Sequence, residues 1–266
     1  MKEFLQKVWR YIVDKMPGEL FVSLIVMLVI AIIAIILGHA IKKADPKKPT
    51  KGLAMWAETL VTFSDNKVKD ILGDAYLPFA PYFLFLVCFI PLAFVTGLFG
   101  MPSPMTYYTI PLCLAFVTWV GIQLSAIRFQ KLDYLKSFTS PLPSWLPVFV
   151  PINMLSKFSP MMSLSIRLFG NALAGTILMT LVYWGTGMLS DLLVVALHIA
   201  TSSKVNFVGM VVAPVLHAYF DAFSAYIQMT IFTTLTLLLI AAEIPAPVNV
   251  SKDKKSKKKK KLKAKI

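Results

Sequence analysis

"MMSLSIRLFGNALAGTILMTLVYWGTGML" (Met161–Leu189) is a run of apolar and small residues broken by one cation, Arg167. A hydrocarbon core ~30 Å thick is spanned by ~20 such residues in a helix, so the stretch reads as a membrane crossing. A charge at mid-bilayer costs ~2.5–3.5 kcal/mol on insertion scales, which restricts it to partnered or water-lined positions. Arg167 therefore marks either an ion pair that locks helices together or a path for something charged.

The rest of the chain supports the membrane reading. Of its 266 residues 57% are hydrophobic and only 15% charged, which excludes an ordinary soluble domain. Apolar spans lie at about 20–38, 77–99, 107–127, 161–190 and 205–244. They are continuous rather than alternating at period two, so helices are expected and a β-barrel is not. The expected fold is an all-α integral membrane protein of five membrane helices, forming one domain over residues 20–244. The first span follows nineteen mixed-charge residues without a small-residue cleavage site, so it is read as a retained helix. Cys88 and Cys113 sit within spans, with no metal or redox spacing around them, and read as packed thiols.

Charge orients the chain. The formal net charge is +14, of which the ten lysines and one aspartate of Ser251–Ile266 supply +9. Such a block reads as a disordered, solvated cytoplasmic tail over residues 245–266. Anionic lipid attracts it by ~1 kcal/mol per lysine near the surface. Nucleic acid is not an expected partner, because no aromatic platform accompanies the lysines. "IKKADPKKPTK" (Ile41–Lys51) and Arg128, Lys131 and Lys136 form two further basic loops. With five crossings and the C-terminus inside, both loops fall inside and residues 1–19 become an extracytoplasmic N-terminal segment.

Leu53–Leu72 mixes Leu53, Trp56, Leu60 and Phe63 with acids and lysines, the pattern of a helix lying on the cytoplasmic surface. "SPLPSWLPVFVPINMLSKFSP" (Ser140–Pro160) is proline-rich and is expected to be irregular. The last two spans are long: residues 161–190 as helix would reach roughly 45 Å, and 205–244 roughly 60 Å, with a start or kink at Pro214. That excess predicts a strongly tilted hairpin.

Polar residues recur on those two helices. Arg167 and Asn171 are four apart, on one face, with Gly170 and Gly175 small enough to admit a close neighbour. His217, Asp221, Ser224 and Gln228 are spaced four, three and four, predicting a single polar stripe on the final helix. A structural account remains open for each: an Arg167–Asp221 ion pair, and interhelical hydrogen bonds for Asn171, Gln228, His217 and Ser224. His198 and Lys204 are expected near the outer surface. No metal-ligand spacing, phosphate-binding glycine loop or nucleophile–base arrangement is present, so neither cofactor nor covalent catalysis is expected. Ion passage is favoured.

The motif "SLSIRLFGNALAG" (163–175) resembles subunit a of the membrane sector of F-type ATP synthases, with "QMTIFTTLT" (Gln228–Thr236) as a second match. "VPIN" (Val150–Asn153) and "FAPYFLFL" (Phe79–Leu86) are weaker ones, and the resemblance runs from about residue 77 to 244. It implies a non-enzymatic stator facing a rotating c-ring of carboxylate-bearing hairpins, alongside a peripheral-stalk subunit b and, indirectly, the soluble F1 head. Two offset aqueous half-channels would meet the ring, with Arg167 between them and Asn171 and Gln228 lining the approach. The absence of an evident targeting segment points to a bacterial plasma membrane as the expected location. The sequence departs from the family at Thr176, where an ionisable residue often pairs with one on the last helix, here Asp221. Ser156 and Lys157 stand where the family commonly carries acid. His217, one turn from Asp221, is the expected replacement partner. The competing readings are a self-contained anion transporter and a structural subunit of another energy-converting complex.

Overall fold

A computed structural model describes residues 16–43, 52–130, 134, 150–196 and 206–244. Expectations for residues 1–15, most of the 41–51 loop, Lys131, Lys136, His198, Lys204 and the lysine tail lie outside the described residues.

The described residues are helical and contain no strand. Helix α1 is Gly18–Lys43, with Glu19 in its first turn and Lys42 and Lys43 in its last, each sign complementing the helix dipole. Helix α2 is Leu53–Leu72. A six-residue 3-10 turn, Asp74–Phe79, leads into α3, Ala80–Val95. After short 3-10 turns at Thr96–Phe99 and Pro104–Thr106 come α4, Thr109–Gln130, and α5, Val150–Ala196. Helix α6 is Phe207–His217, and a π-helical segment, Ala218–Phe223, joins it to α7, Ser224–Ala242. Five stretches are long and apolar enough to cross a membrane: Gly18–Lys43, Tyr76–Phe99, Thr109–Phe129, Pro151–Ala196 and Phe207–Ala242. This is an all-α integral membrane protein.

Helix α2 begins and ends where the sequence places it. Gly73, at φ 87°, turns the chain out of the helix, a backbone conformation that a Cβ would strain. Its amide donates to Lys69 O (2.9 Å). Ala54, Ala57, Ser64 and Val68 form the packed face, and buried Ser64 Oγ donates to Ala80 O of α3 (2.8 Å). Trp56 is 70% exposed and Leu53 and Phe63 also point outward. Small residues thus face the protein and large apolar ones face away, the inverse of a helix solvated by water and the pattern of one seated in lipid headgroups.

The later part of the proline-rich stretch before Arg167 corrects an expectation; residues 140–149 of it lie outside the described residues. Residues 150–160 are the first turns of α5, not an irregular segment. Pro151 occupies a first-turn position whose missing N–H would have no intrahelical partner anyway. Pro160 lies in the interior, as membrane helices tolerate when neighbours hold the backbone. Helix α4 supplies that hold: Trp119 Nε1 donates to Lys157 O (2.7 Å), and its ring stacks on Phe158 at 4.7 Å. The resulting 47-residue helix has a contour of roughly 70 Å, longer than the sequence reading and more than twice the hydrocarbon thickness.

One core joins α1, α3, α4, α5 and α7 through Val26, Ile90, Phe94, Ala115, Leu168 and Phe232. A second, around Val68, Leu72, Phe83, Ile122, Leu237 and Ile240, ties α2 to the far ends of α3, α4 and α7. Between apolar helices in lipid the hydrophobic drive is absent, so close packing and polar cross-links do the work, at ~0.6 kcal/mol for a typical interhelical hydrogen bond. Tyr82 OH to Thr118 Oγ1 (2.9 Å) is one such link, between α3 and α4.

Two ends of the bundle differ. The starts of α1, α4 and α6 and the ends of α3 and α5 share one end. Lys42, Lys43, Lys67, Lys69, Arg128 and Lys157 belong to elements gathered at the other.

Candidate functional site

The polar residues of α5 and of α6–α7 meet, because these two long stretches run antiparallel. The start of α6 is fastened to α5 through the Asn206 side chain. Asn206 Oδ1 accepts from Gly209 N (2.7 Å) and Ser190 Oγ (3.0 Å). Its Nδ2 donates to Thr186 Oγ1 (3.0 Å) and Tyr183 O (3.2 Å). The first of these bonds caps α6, and the others hold α6 to α5.

One turn of helix brings His217 and Asp221 together, with His217 Nδ1 2.6 Å from Asp221 Oδ2. On the other side of the imidazole, Nε2 lies 2.8 Å from Tyr183 OH on α5. With the Asp221 carboxylate accepting from Nδ1–H, a neutral ring accepts the Tyr183 hydroxyl at Nε2. The result is a three-membered chain, Tyr183–His217–Asp221. Asp221 also presses against α3's end: a methyl group placed on Gly97 would stand 3.1 Å from Asp221 Oδ2. A larger residue there would crowd the carboxylate and push it by a few tenths of an ångström.

Further along, Asn171 Nδ2 donates to Ser224 Oγ. The expected stripe on the last helix is therefore interrupted, not straight. Ser224 N bonds Tyr219 O, five residues back, so the π turn, with Asp221 inside it, intervenes between His217 and the later Ser224 and Gln228. π turns are rare and concentrate at functional positions.

A cavity of about 470 Å³ opens beside these groups, lined by Asn171, Thr176, Tyr183, His217 and Asp221 among others. Thr176 is spent locally, its Oγ1 donating to Ala172 O (3.0 Å). A second cavity, about 570 Å³, lies against Asn206 and Pro214 and shares Tyr183 and His217 with the first. The Tyr183–His217 pair thus forms part of the wall of both.

Arg167 stands apart. Among the described residues it makes no ion pair; Asp221 is held by His217 instead. Arg167 Nη1 and Gln228 Oε1 are both buried without a hydrogen-bond partner among the described residues. A buried polar group left unpaired costs about 1–3 kcal/mol, more for a charged one, so these two atoms call for water or for a partner that the described residues do not supply. Beside Arg167, α5 presents an outward apolar face that includes Ile166, Ile177, Leu181, Trp184 and Met188, with Trp184 68% exposed.

At the opposite end Lys157 pairs with Glu243 (3.8 Å), and its ammonium sits 4.9 Å from the Tyr134 ring centroid. Tyr134 OH donates to Gln123 Oε1 (2.5 Å). Burial first, then the nearby Glu243 carboxylate, push the Tyr134 phenol above its ordinary range. The lysine that departs from the family pattern thus finds its acid on the last helix.

The family model of the ATP synthase A chain matches residues 20–241. This chain belongs to that family. It is similar to ATP synthase subunit a of Mycoplasma pneumoniae, 29% identical over 230 residues that cover 82% of this chain and 76% of the relative. The counterpart from Mycoplasma genitalium is 32% identical over 205 residues, 74% and 68% of the two chains. ATP synthase subunit a 2 of Chlorobaculum tepidum is 29% identical over 218 residues, 80% and 58%. For this ATP synthase A-chain family member, then, Asn171, Ser224, His217 and Asp221 are brought together as two linked pairs, while Arg167 and Gln228 remain unpartnered. Tyr183 and Gly97 were absent from the sequence reading. Tyr183 lies seven residues beyond Thr176, on the same helix face, and that spacing was the available signal.

Proposed function

We propose that this chain is the ion-translocating stator of a rotary ATP synthase, passing protons to and from the carboxylates of a c-ring. Family membership supports the coarse role. The unpartnered Arg167 guanidinium beside an open apolar face of α5 carries the finer one. A self-contained transporter would give its arginine a counter-charge or ligand of its own, and none is present among the described residues.

The chemistry follows from desolvation. A ring carboxylate facing lipid is neutral, because burial raises its pKa by up to several units; a guanidinium alongside lowers it by ~1–3 units. One carboxylate therefore gains and loses its proton as it passes Arg167. The fixed cation also repels protons, which closes the direct route between two half-channels. Arginine suits the position because it does not deprotonate when buried, as lysine does. On one side the Asp221 cavity delivers protons through the His217–Asp221 pair and past Asn171–Ser224, with Gln228 nearer the ring. Each charge that crosses 100 mV transfers ~2.3 kcal/mol.

The lysine-bearing end faces the cytoplasm under the positive-inside rule, with the N-terminus outside. Helix α2 then lies on the cytoplasmic surface, and the lysine tail meets anionic lipid or the peripheral stalk subunit b. ATP chemistry resides in the F1 head, not in this chain.

The deciding experiment replaces Arg167 with alanine in the assembled complex. ATP-driven proton pumping into membrane vesicles is expected to disappear, with a passive leak in its place. Normal pumping would overturn the assignment. Copurification of the chain with a ring of small hairpin proteins and a soluble ATPase tests the partners directly.

A further inference from the structure

The Asp221 cavity holds a carboxylate that belongs to none of the sequence motifs. Glu19, half-buried in the first turn of α1, lines the same cavity as Asn171, Thr176, Tyr183, His217 and Asp221. Its placement is a packing result. A methyl group on neighbouring Gly18 would touch Pro102 Cγ at 3.5 Å, so α1 begins hard against the Met101–Ser103 loop that forms part of the cavity wall.

Beyond its favourable place in the first turn of α1, Glu19 is given no partner by its surroundings. Among the described residues it makes no ion pair and no side-chain hydrogen bond. Among the described residues no lysine or arginine lines the cavity, and the titratable ones that do are Glu19, Asp221, His217 and Tyr183. The other polar lining is hydroxyl and amide: Ser103, Thr106, Thr176, Thr180 and Asn171. At about 470 Å³ the space holds a chain of several waters, each needing two to four such partners.

We propose that Glu19 is the proton-capturing carboxylate of this cavity, supplying from α1 the ionisable group that Thr176 does not provide from α5. This rests on the stator reading above. Glu19 takes a proton from bulk water at the end of the bundle where α1 starts. It returns that proton to cavity water, from which the Asp221–His217 pair accepts it. Only O–H and N–H bonds change, and the carboxylate is regenerated in each cycle. A negatively charged cleft with low-dielectric walls raises the capture rate of a cation by ~10–10³-fold.

The test uses the intact complex in membrane vesicles, stripped of its soluble head only for the conduction measurement. Passive proton conduction is followed with a pH-sensitive dye while the side facing Glu19 is titrated. E19Q is expected to assemble normally and conduct about tenfold more slowly, most severely at alkaline pH, where capture limits the flux. E19D should recover most of the rate, and so should E19Q/T176E, which returns a carboxylate to the same cavity from α5. An assembled E19Q that conducts like wild type at every pH overturns the proposal. So does loss of assembly in E19Q that T176E does not repair, which would make Glu19 a structural residue. D221N separates the two levels of inference. If D221N fails to conduct while E19Q is normal, only the role of Glu19 falls; if both conduct normally, the half-channel itself is misplaced.

Discussion

The paired helices α5 and α6–α7 treat their polar groups differently in their two halves. In the half nearer Asn206, Tyr183, His217 and Asp221 hydrogen-bond one another, and Asn171 finds Ser224. In the half nearer Lys157 and Glu243, Arg167 Nη1 and Gln228 Oε1 are buried without partners among the described residues. Both halves place polar atoms at membrane depth, where an unsatisfied group is expensive. The first half solves that problem within the chain. The second leaves it unsolved among the described residues, as the proposed contact with a passing ring subunit would require.

This contrast can be broken from either half. The largest effect is expected at the unpartnered one. Arg167→Lys keeps the charge but loses the planar fork and becomes titratable when buried, so coupled pumping should fall below about one tenth of wild type. Vesicle acidification on ATP addition measures it, and retention of most of the rate would show that geometry matters less than charge. In the partnered half, His217→Ala removes the centre of the chain and leaves Asp221 without its hydrogen bond. Passive proton conduction should drop by about a hundredfold, the low end of positioned acid–base contributions. Conduction unchanged across pH would reduce His217 to a packing residue. Tyr183→Phe is the mildest change, deleting one hydroxyl at a neutral hydrogen bond worth about 0.5–1.5 kcal/mol. A two- to tenfold slowing follows from that energy, with pumping otherwise coupled. A loss as deep as that of His217→Ala would make Tyr183 a proton carrier rather than an anchor for the ring.

The sequence discloses these features unevenly. Spans are legible because length and apolarity alone decide them, and α2 is legible because Gly52 and Gly73 bracket a mixed-polarity run. The first turns of α5 are not. Pro151 and Pro160 argue for disorder locally, and only the Trp119 contacts from another helix reverse that. Arg167 and Asn171 announce themselves by polarity in an apolar run. Tyr183 hides, since an aromatic with a polar tip is ordinary on a membrane helix. Gly97 and Glu19 hide for a different reason: their roles exist only once the start of α1 and the end of α3 come beside the junction of α6 and α7, and no spacing along the chain encodes that approach. The break in the final helix is equally silent, because the four polar residues keep a perfect α-helical spacing through it.

That break bears on how tightly the chain's length is specified. A π turn is an α-helix carrying one residue more than its ladder requires, so removing a residue from Ala218–Phe223 would let the ladder close without moving either flank. Elsewhere in the last helix a deletion swings every later side chain by ~100°, the angle per residue at 3.6 residues per turn. Asp221 sits inside the slack segment. Its carboxylate can therefore be re-aimed by small changes in local sequence while Asn206 at one end and Gln228 at the other keep their places.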